Sequence, residues 1–264
     1  MYNIVKGEIM KAKSILFTIL IVLMTIGFFL LSGFVAVIVP ANSTAFYSTQ
    51  FEKNYTLNYV RAQRFNDYYV YDSIEYNYLR NLTDEELLDL MNHTMRYCML
   101  IEDNLNPTIN GTEYKIFNEN ELSHMADVRE VFKGGFILVG IGGVFFALGL
   151  ALIIIFRKAY CKKRKVPYIT LIALFSVLAL IGIFGLINFD LAFEVFHMIF
   201  FDGNWTFSEG VMIAMIGDIF TGIVPIIIAV WVGLLTVFLA SITVYNHFTK
   251  KKYLVKNLPT ETIE

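Results

Sequence analysis

The chain has 264 residues, 56% of them hydrophobic and 17% charged, with a formal net charge of −2. This is too apolar for a soluble domain of that length. The near-zero net charge says nothing about nucleic acid, but no basic patch interleaved with aromatics appears outside the loops, so no nucleic-acid partner is expected. The two cysteines, Cys98 and Cys161, fall on opposite sides of the bilayer in the topology below, so no disulfide within the chain is expected.

Residues 1–13 carry Lys6, Lys11 and Lys13 against Glu8, and an uncharged apolar stretch from Ile15 to Val39 follows. At about 1.5 Å per residue that stretch exceeds a hydrocarbon core of roughly 30 Å, so 14–39 reads as a first, tilted span and a retained signal anchor. Residues 40–132 turn to tyrosine, asparagine and acids, and read as a folded cap. Within it, Thr83 and Glu86 have capping-box spacing, and Leu87, Leu88, Met91, Met95 and Met99 recur at a helical period. Asn106 to Thr112, with Pro107 and Gly111, reads as a turn, after which Asn118 or Asn120 caps the next helix.

A glycine-rich second span is expected over 134–156, where Gly143 and Ala147 make a small-xxx-small step suited to close helix packing. The loop 157–165 holds six cations and no acid, which marks it as cytoplasmic. A third span over 166–189 has Pro167 near its first turn. Residues 190–218 mix Asp190, Glu194, Asp202 and Glu209 with phenylalanines and Trp205, a profile suited to the membrane interface or a re-entrant segment. The last span, 219–245, runs into a tail, 246–264, bearing Lys250, Lys251, Lys252 and Lys256. The expected fold is an all-α polytopic membrane protein, with four transmembrane helices, an extracellular and mainly helical cap between the first and second spans, and both termini cytoplasmic.

Glu121, His124 and Asp127 lie at i, i+3 and i+6 and share a helix face, on which a carboxylate can orient an imidazole. His124 precedes the second span, and His197 follows the third, each by a distance that helical rise puts at roughly 12 to 15 Å from the core edge. Both fall on the outer side, where they can meet. The same spacing also fits an ordinary charged helix face, or a mixed histidine and carboxylate zinc site. Trp205 also fits an interfacial anchor. A sensor or accessory protein with a binding cap is a rival reading. A transporter is disfavoured, because no ionisable side chain lies within the four spans as read.

At His124, Met125, Ala126, Asp127 and Val128, and again at Phe196, His197, Phe200, Phe201 and Trp205, the sequence resembles the bacterial lipoprotein intramolecular transacylase family. The resemblance extends to the Leu82 to Leu88 segment and Tyr97. It implies a four-span enzyme of the Gram-positive cell membrane, with an outward-facing site, that moves the sn-2 acyl chain of an S-diacylglyceryl group to the α-amine of the same N-terminal cysteine. The partners implied are the diacylated lipoprotein N-terminus and the phospholipid bilayer; no cofactor is called for, and a monomer is expected. In that chemistry His124, oriented by Asp127, is the expected base and His197 the expected acid. A backbone N–H near Gly203 or the amide of Asn204 is the candidate oxyanion donor, with Glu121, Asn204, Trp205 and Tyr97 as supporting or substrate-binding residues.

Overall fold

The structure is a computed structural model that describes residues 2–201, 203, 209–217 and 219–256. The elements in chain order are α1 (Tyr2–Ala41), α2 (Thr44–Lys53), α3 (Thr56–Ala62) with a 3-10 turn, α4 (Ile74–Asn81) and α5 (Asp84–Cys98), then strands β1 (Thr108–Ile109) and β2 (Thr112–Glu113). Helices α6 (Glu119–Ile155), α7 (Arg157–Lys163), α8 (Val166–Ile187), α9 (Phe189–Phe200), α10 (Val211–Ile216) and α11 (Ile219–Lys256) complete it. Parts of α1, α6, α8 and α11 are long and apolar enough to cross a membrane, which matches the four expected spans. The basic segment after the second span, expected as a loop, is largely helical as α7. Cys98 and Cys161 are both free.

Two compact units divide the chain. The first comprises residues 1–34, 137–183 and 230–264 and is a helical bundle. Its core joins Met24 and Phe29 of α1, Ile153 of α6, Leu171 of α8 and Phe238 of α11. Backbones approach closely at Gly27 and Gly142, where a Cβ on Gly27 would lie 2.2 Å from the Gly142 carbonyl oxygen. The packing step is therefore Gly27 on Gly142. Gly143, expected to fill that role, has only a leucine methyl at ordinary contact distance. Trp231 donates its indole N–H to Ser32 Oγ at 3.0 Å, which satisfies both groups inside the bundle.

The second unit comprises 35–136 and 184–229. Helices α2, α4 and α5 are fixed by side-chain caps. Ser43 Oγ accepts from the Phe46 N–H, Ser73 Oγ accepts from the Tyr76 N–H, and Thr83 with Glu86 forms the expected reciprocal capping box. The buried stripe of α5 is Leu87, Leu90, Met91, Thr94, Tyr97 and Cys98. Leu88 and Met95 pack at its edge, while Met99, expected on the stripe, is the C-cap residue. The expected turn is a tight hairpin: Ile109 pairs with Thr112 across Asn110 and Gly111, both with positive φ, as a two-residue connection requires.

Candidate active site

The site is assembled within the second unit. Asn118 begins the helix that carries it. Asn118 Oδ1 accepts from the Glu121 N–H at 3.0 Å and Glu121 Oε2 accepts from the Asn118 N–H at 2.9 Å, so of the two asparagines weighed as caps, Asn118 does the work. The first turns of α6 carry Glu119, Glu121, His124, Asp127, Arg129, Glu130 and Lys133. They precede the apolar run and stand outside the membrane-spanning part of the helix.

His197 lies in the last turn of α9 and is 8% exposed. Its ring contacts His124 with centroids 6.3 Å apart and planes 21° from parallel. His197 Nδ1 donates to the Phe193 carbonyl oxygen at 2.7 Å, one helical turn back. That bond directs the Nδ1 proton at the Phe193 carbonyl and orients the ring. Phenylalanines enclose the imidazole. Phe193 packs at 3.9 Å and Phe196 at 5.3 Å between centroids, while Phe201 touches both histidines, at 4.8 Å from His124 and 5.2 Å from His197. Composition alone gives these aromatics no role beyond core or lipid contact; the i, i+4 spacing of Phe193 and His197 is the signal that carries more.

Partial burial, with a smaller contribution from His197, holds the His124 imidazole below its ordinary pKa, and the charge of Asp127 acts in the opposite sense. Its surroundings therefore favour the neutral form of His124.

Glu121, expected on a charged helix face, is fully buried. Burial pushes its carboxyl up to about 7, against the lowering effect of two backbone N–H donors. The second donor is Met212, whose N–H reaches Glu121 Oε1 at 2.6 Å. Glu121 thus ties the start of α10 to the start of α6. The contact needs a glycine at Gly210: φ there is +145°, and a Cβ would lie 2.2 Å from Glu121 Oε1. A partner 91 residues away is invisible to helical periodicity, so this anchor has no signal in the sequence beyond the acid itself.

Tyr97 is buried in the core of this unit, with the Arg129 guanidinium 4.6 Å above its ring. Gly203 is exposed, with φ +83°. Asn204 and Trp205 lie outside the described residues. Among the described residues no group of three or more histidine, cysteine or acidic side chains is arranged to hold a metal ion.

A family model described as lipoprotein intramolecular transacylase Lit matches residues 15–220. Two solved structures of the membrane integral lipoprotein intramolecular transacylase Lit from Bacillus cereus are similar in fold. One, a variant with a histidine replaced by arginine, is 14% identical, with a TM-score of 0.64 over 97% of this chain and 100% of that chain. The other is 15% identical, with a TM-score of 0.62 over 92% and 99%. No curated protein matches the sequence.

Proposed function

Since the chain belongs to the lipoprotein intramolecular transacylase family, we propose that His124 and His197 are the proton-transferring pair of its acyl shift. It is a multi-pass membrane acyltransferase whose substrate is a lipoprotein. In this reading the N-terminal cysteine of that lipoprotein carries a diacylglyceryl group on sulfur, and its own α-amine is the acceptor.

The observation that carries the proposal is the approach of two imidazoles, remote in sequence, to 6.3 Å between ring centres. With productive hydrogen bonds at about 2.6–3.2 Å, atoms of one amine and one ester can lie within reach of both rings. The α-amine, with an ordinary pKa of about 7.7–8.0, is mostly protonated at neutral pH. His124 takes its proton and passes it to solvent, and the freed nitrogen attacks the sn-2 carbonyl carbon. The nitrogen, now positive with two protons, gives one of them to the neutral His124. As the tetrahedral intermediate collapses the C–O bond breaks, and the glycerol oxygen takes a proton from His197 Nε2. An ester has become an amide, one proton has left for solvent, His124 has gained a proton and His197 has lost one. Returning that proton resets the pair.

The division of labour rests on the surroundings of each ring. Burial favours the neutral form of His124, as a base needs, while Asp127 supports the cation it becomes. His197 lies in the last turn of α9, enclosed by phenylalanine rings. Its bond to Phe193 holds Nε2 in one direction in either protonation state. Glu121 supports the site by holding Met212 and the segment before it against α6. The backbone N–H of Gly203 is our candidate oxyanion donor, with the Asn204 amide as second choice; Trp205 and Tyr97 are assigned supporting roles. Amine and ester belong to one molecule, so folding the substrate into reach supplies much of the acceleration.

The cation clusters at the N-terminus, at 157–165 and after Lys250 support cytoplasmic termini, with the cap and the histidines outside. We take the protein to act as a monomer, because both histidines come from one chain. In cells lacking other N-acyltransferases, His124→Ala and His197→Ala should each lower lyso-lipoprotein formation by about 10²–10⁴-fold, the usual range for a lost acid or base. Mass spectrometry of the N-terminal lipopeptide reads this directly. Normal product from an inserted, folded variant removes that histidine from the mechanism.

A further inference from the structure

The bundle unit contains a cavity of about 270 Å³, lined by Arg164, Lys165, Tyr168, Asn246, His247 and Lys250. It lies where α8 begins and the spanning part of α11 ends, at the face that carries the cationic segment. Arg164, Lys165 and Lys250 are charged under all ordinary conditions, and neither 157–169 nor 241–250 contains an acid. Among the described residues no ion pair engages any of the three. Cations brought together without acids form a site for an anion.

The uncharged part of the lining is held by its own hydrogen bonds. Tyr168 Oη and Thr243 Oγ1 share a hydrogen bond of 2.9 Å, and Asn246 Nδ2 donates to Tyr168 Oη at 3.2 Å. The Asn246 side chain also meets the Tyr160 hydroxyl beneath, so this wall is rigid and leaves the three cations as the groups that face a ligand. Apolar surface adjoins the cavity. Lys165, Ile169 and Ile172 recur at i, i+4 and i+7, and His247, Val244 and Val237 share a face of α11. Ile169, Ile172 and Val244 are 62%, 66% and 55% exposed, as lipid-facing side chains are.

We propose that this cavity binds the phosphate of an anionic phospholipid headgroup. Arg164, Lys165 and Lys250 hold the phosphate. The acyl chains lie along the apolar faces of α8 and α11. Basic pockets among spanning helices on the cytoplasmic side suit such headgroups. The cavity is small for a whole drug-sized ligand, for which about 300–1,000 Å³ is usual, and matches a headgroup whose tails stay outside. The proposal is independent of the paired histidines.

The test uses the full-length protein in nanodiscs of phosphatidylcholine doped with phosphatidylglycerol, with lipid retained on extraction measured by native mass spectrometry. A pocket variant, Arg164→Gln with Lys165→Gln and Lys250→Gln, is compared with a control that removes equal charge beside the pocket, Lys158→Gln with Lys162→Gln and Lys163→Gln. The expected result is a fall in retained phosphatidylglycerol of about tenfold or more in the pocket variant and little change in the control. Lys250→Gln alone, expected to give a smaller fall, serves if the triple variant does not fold. Equal losses in pocket variant and control would reduce the effect to general surface attraction and overturn the site. Displacement of the lipid by millimolar glycerol 3-phosphate or inorganic phosphate would assign the cavity to free anions instead.

Discussion

The two units each hold their own helices together with a different emphasis. In the bundle, Gly27 and Gly142 bring backbones together where any side chain would collide. The unit that carries the histidines packs an apolar core and adds particular polar atoms to it. Asn118, Glu121 and the Met212 N–H form a closed set of hydrogen bonds in which each acceptor is specified. Added bulk at the glycine contact is expected to harm the bundle most, and loss of an acceptor the site-bearing unit. Membranes explain the difference, because apolar burial gives no driving force between helices already in lipid, and close packing has to supply it.

The sharpest way to break this contrast is Gly27→Leu. Its Cβ would meet a carbonyl oxygen of Gly142 that a rigid helix cannot move aside, and the loss should be about 1–3 kcal/mol or more, read as a fall in unfolding temperature in detergent. Gly140→Leu, where a Cβ meets nothing within 4 Å, is the matched control and should leave stability nearly unchanged. Equal effects would remove the close approach as the cause.

Next in size is Glu121. Replacement by alanine leaves the Met212 and Asn118 N–H groups without acceptors, at a cost of about 1–3 kcal/mol. Glu121→Gln keeps one acceptor and isolates the charge. The folded-state pKa of about 7 is raised from 4.5. The stability contributed by the protonated form is therefore complete below about pH 4.5 and is lost as pH rises toward and through about 7. Denaturant unfolding across pH 4 to 8 should show the parent losing ground to Glu121→Gln as pH rises. A flat difference would mean that the carboxyl keeps one protonation state throughout.

Asp127→Asn should act on rate and leave the fold intact. The carboxylate raises the His124 pKa, so its removal lowers that pKa further and moves the acid limb of the pH–rate profile to lower pH. A loss of about tenfold in kcat at neutral pH corresponds to about 1.4 kcal/mol of transition-state stabilisation. The smallest effect expected is that of Thr83→Ala, about 1 kcal/mol from the lost cap of α5, with acyl transfer unchanged in the folded fraction.

What could be read from the sequence follows the range of the interaction responsible. The spans, the capping box at Thr83 and Glu86, and the turn at Asn110 and Gly111 are local patterns and were legible as such. The two histidines were legible through topology, which placed both at similar depths on one side. Glu121 was named as a supporting residue through the resemblance, but its burial and its Met212 partner, set by tertiary structure, were not legible from spacing. Nor was Gly27 distinguishable by pattern: many glycines lie along these helices, and only a facing backbone singles one out. The helix of 157–163 was masked by charge density, which marked the side of the membrane more strongly than the local conformation.

The ring of phenylalanines around His197 bears on which acceptor receives the acyl group. Water is present in cells at vastly higher concentration than any amine, and an activated ester exposed to it would be hydrolysed. Phe193, Phe196 and Phe201 offer no hydrogen bond to hold a water molecule beside the ring. On the proposed mechanism such solvent exclusion would favour the amine over water as acceptor, so the fidelity of the reaction would rest on side chains that take no part in its proton transfers.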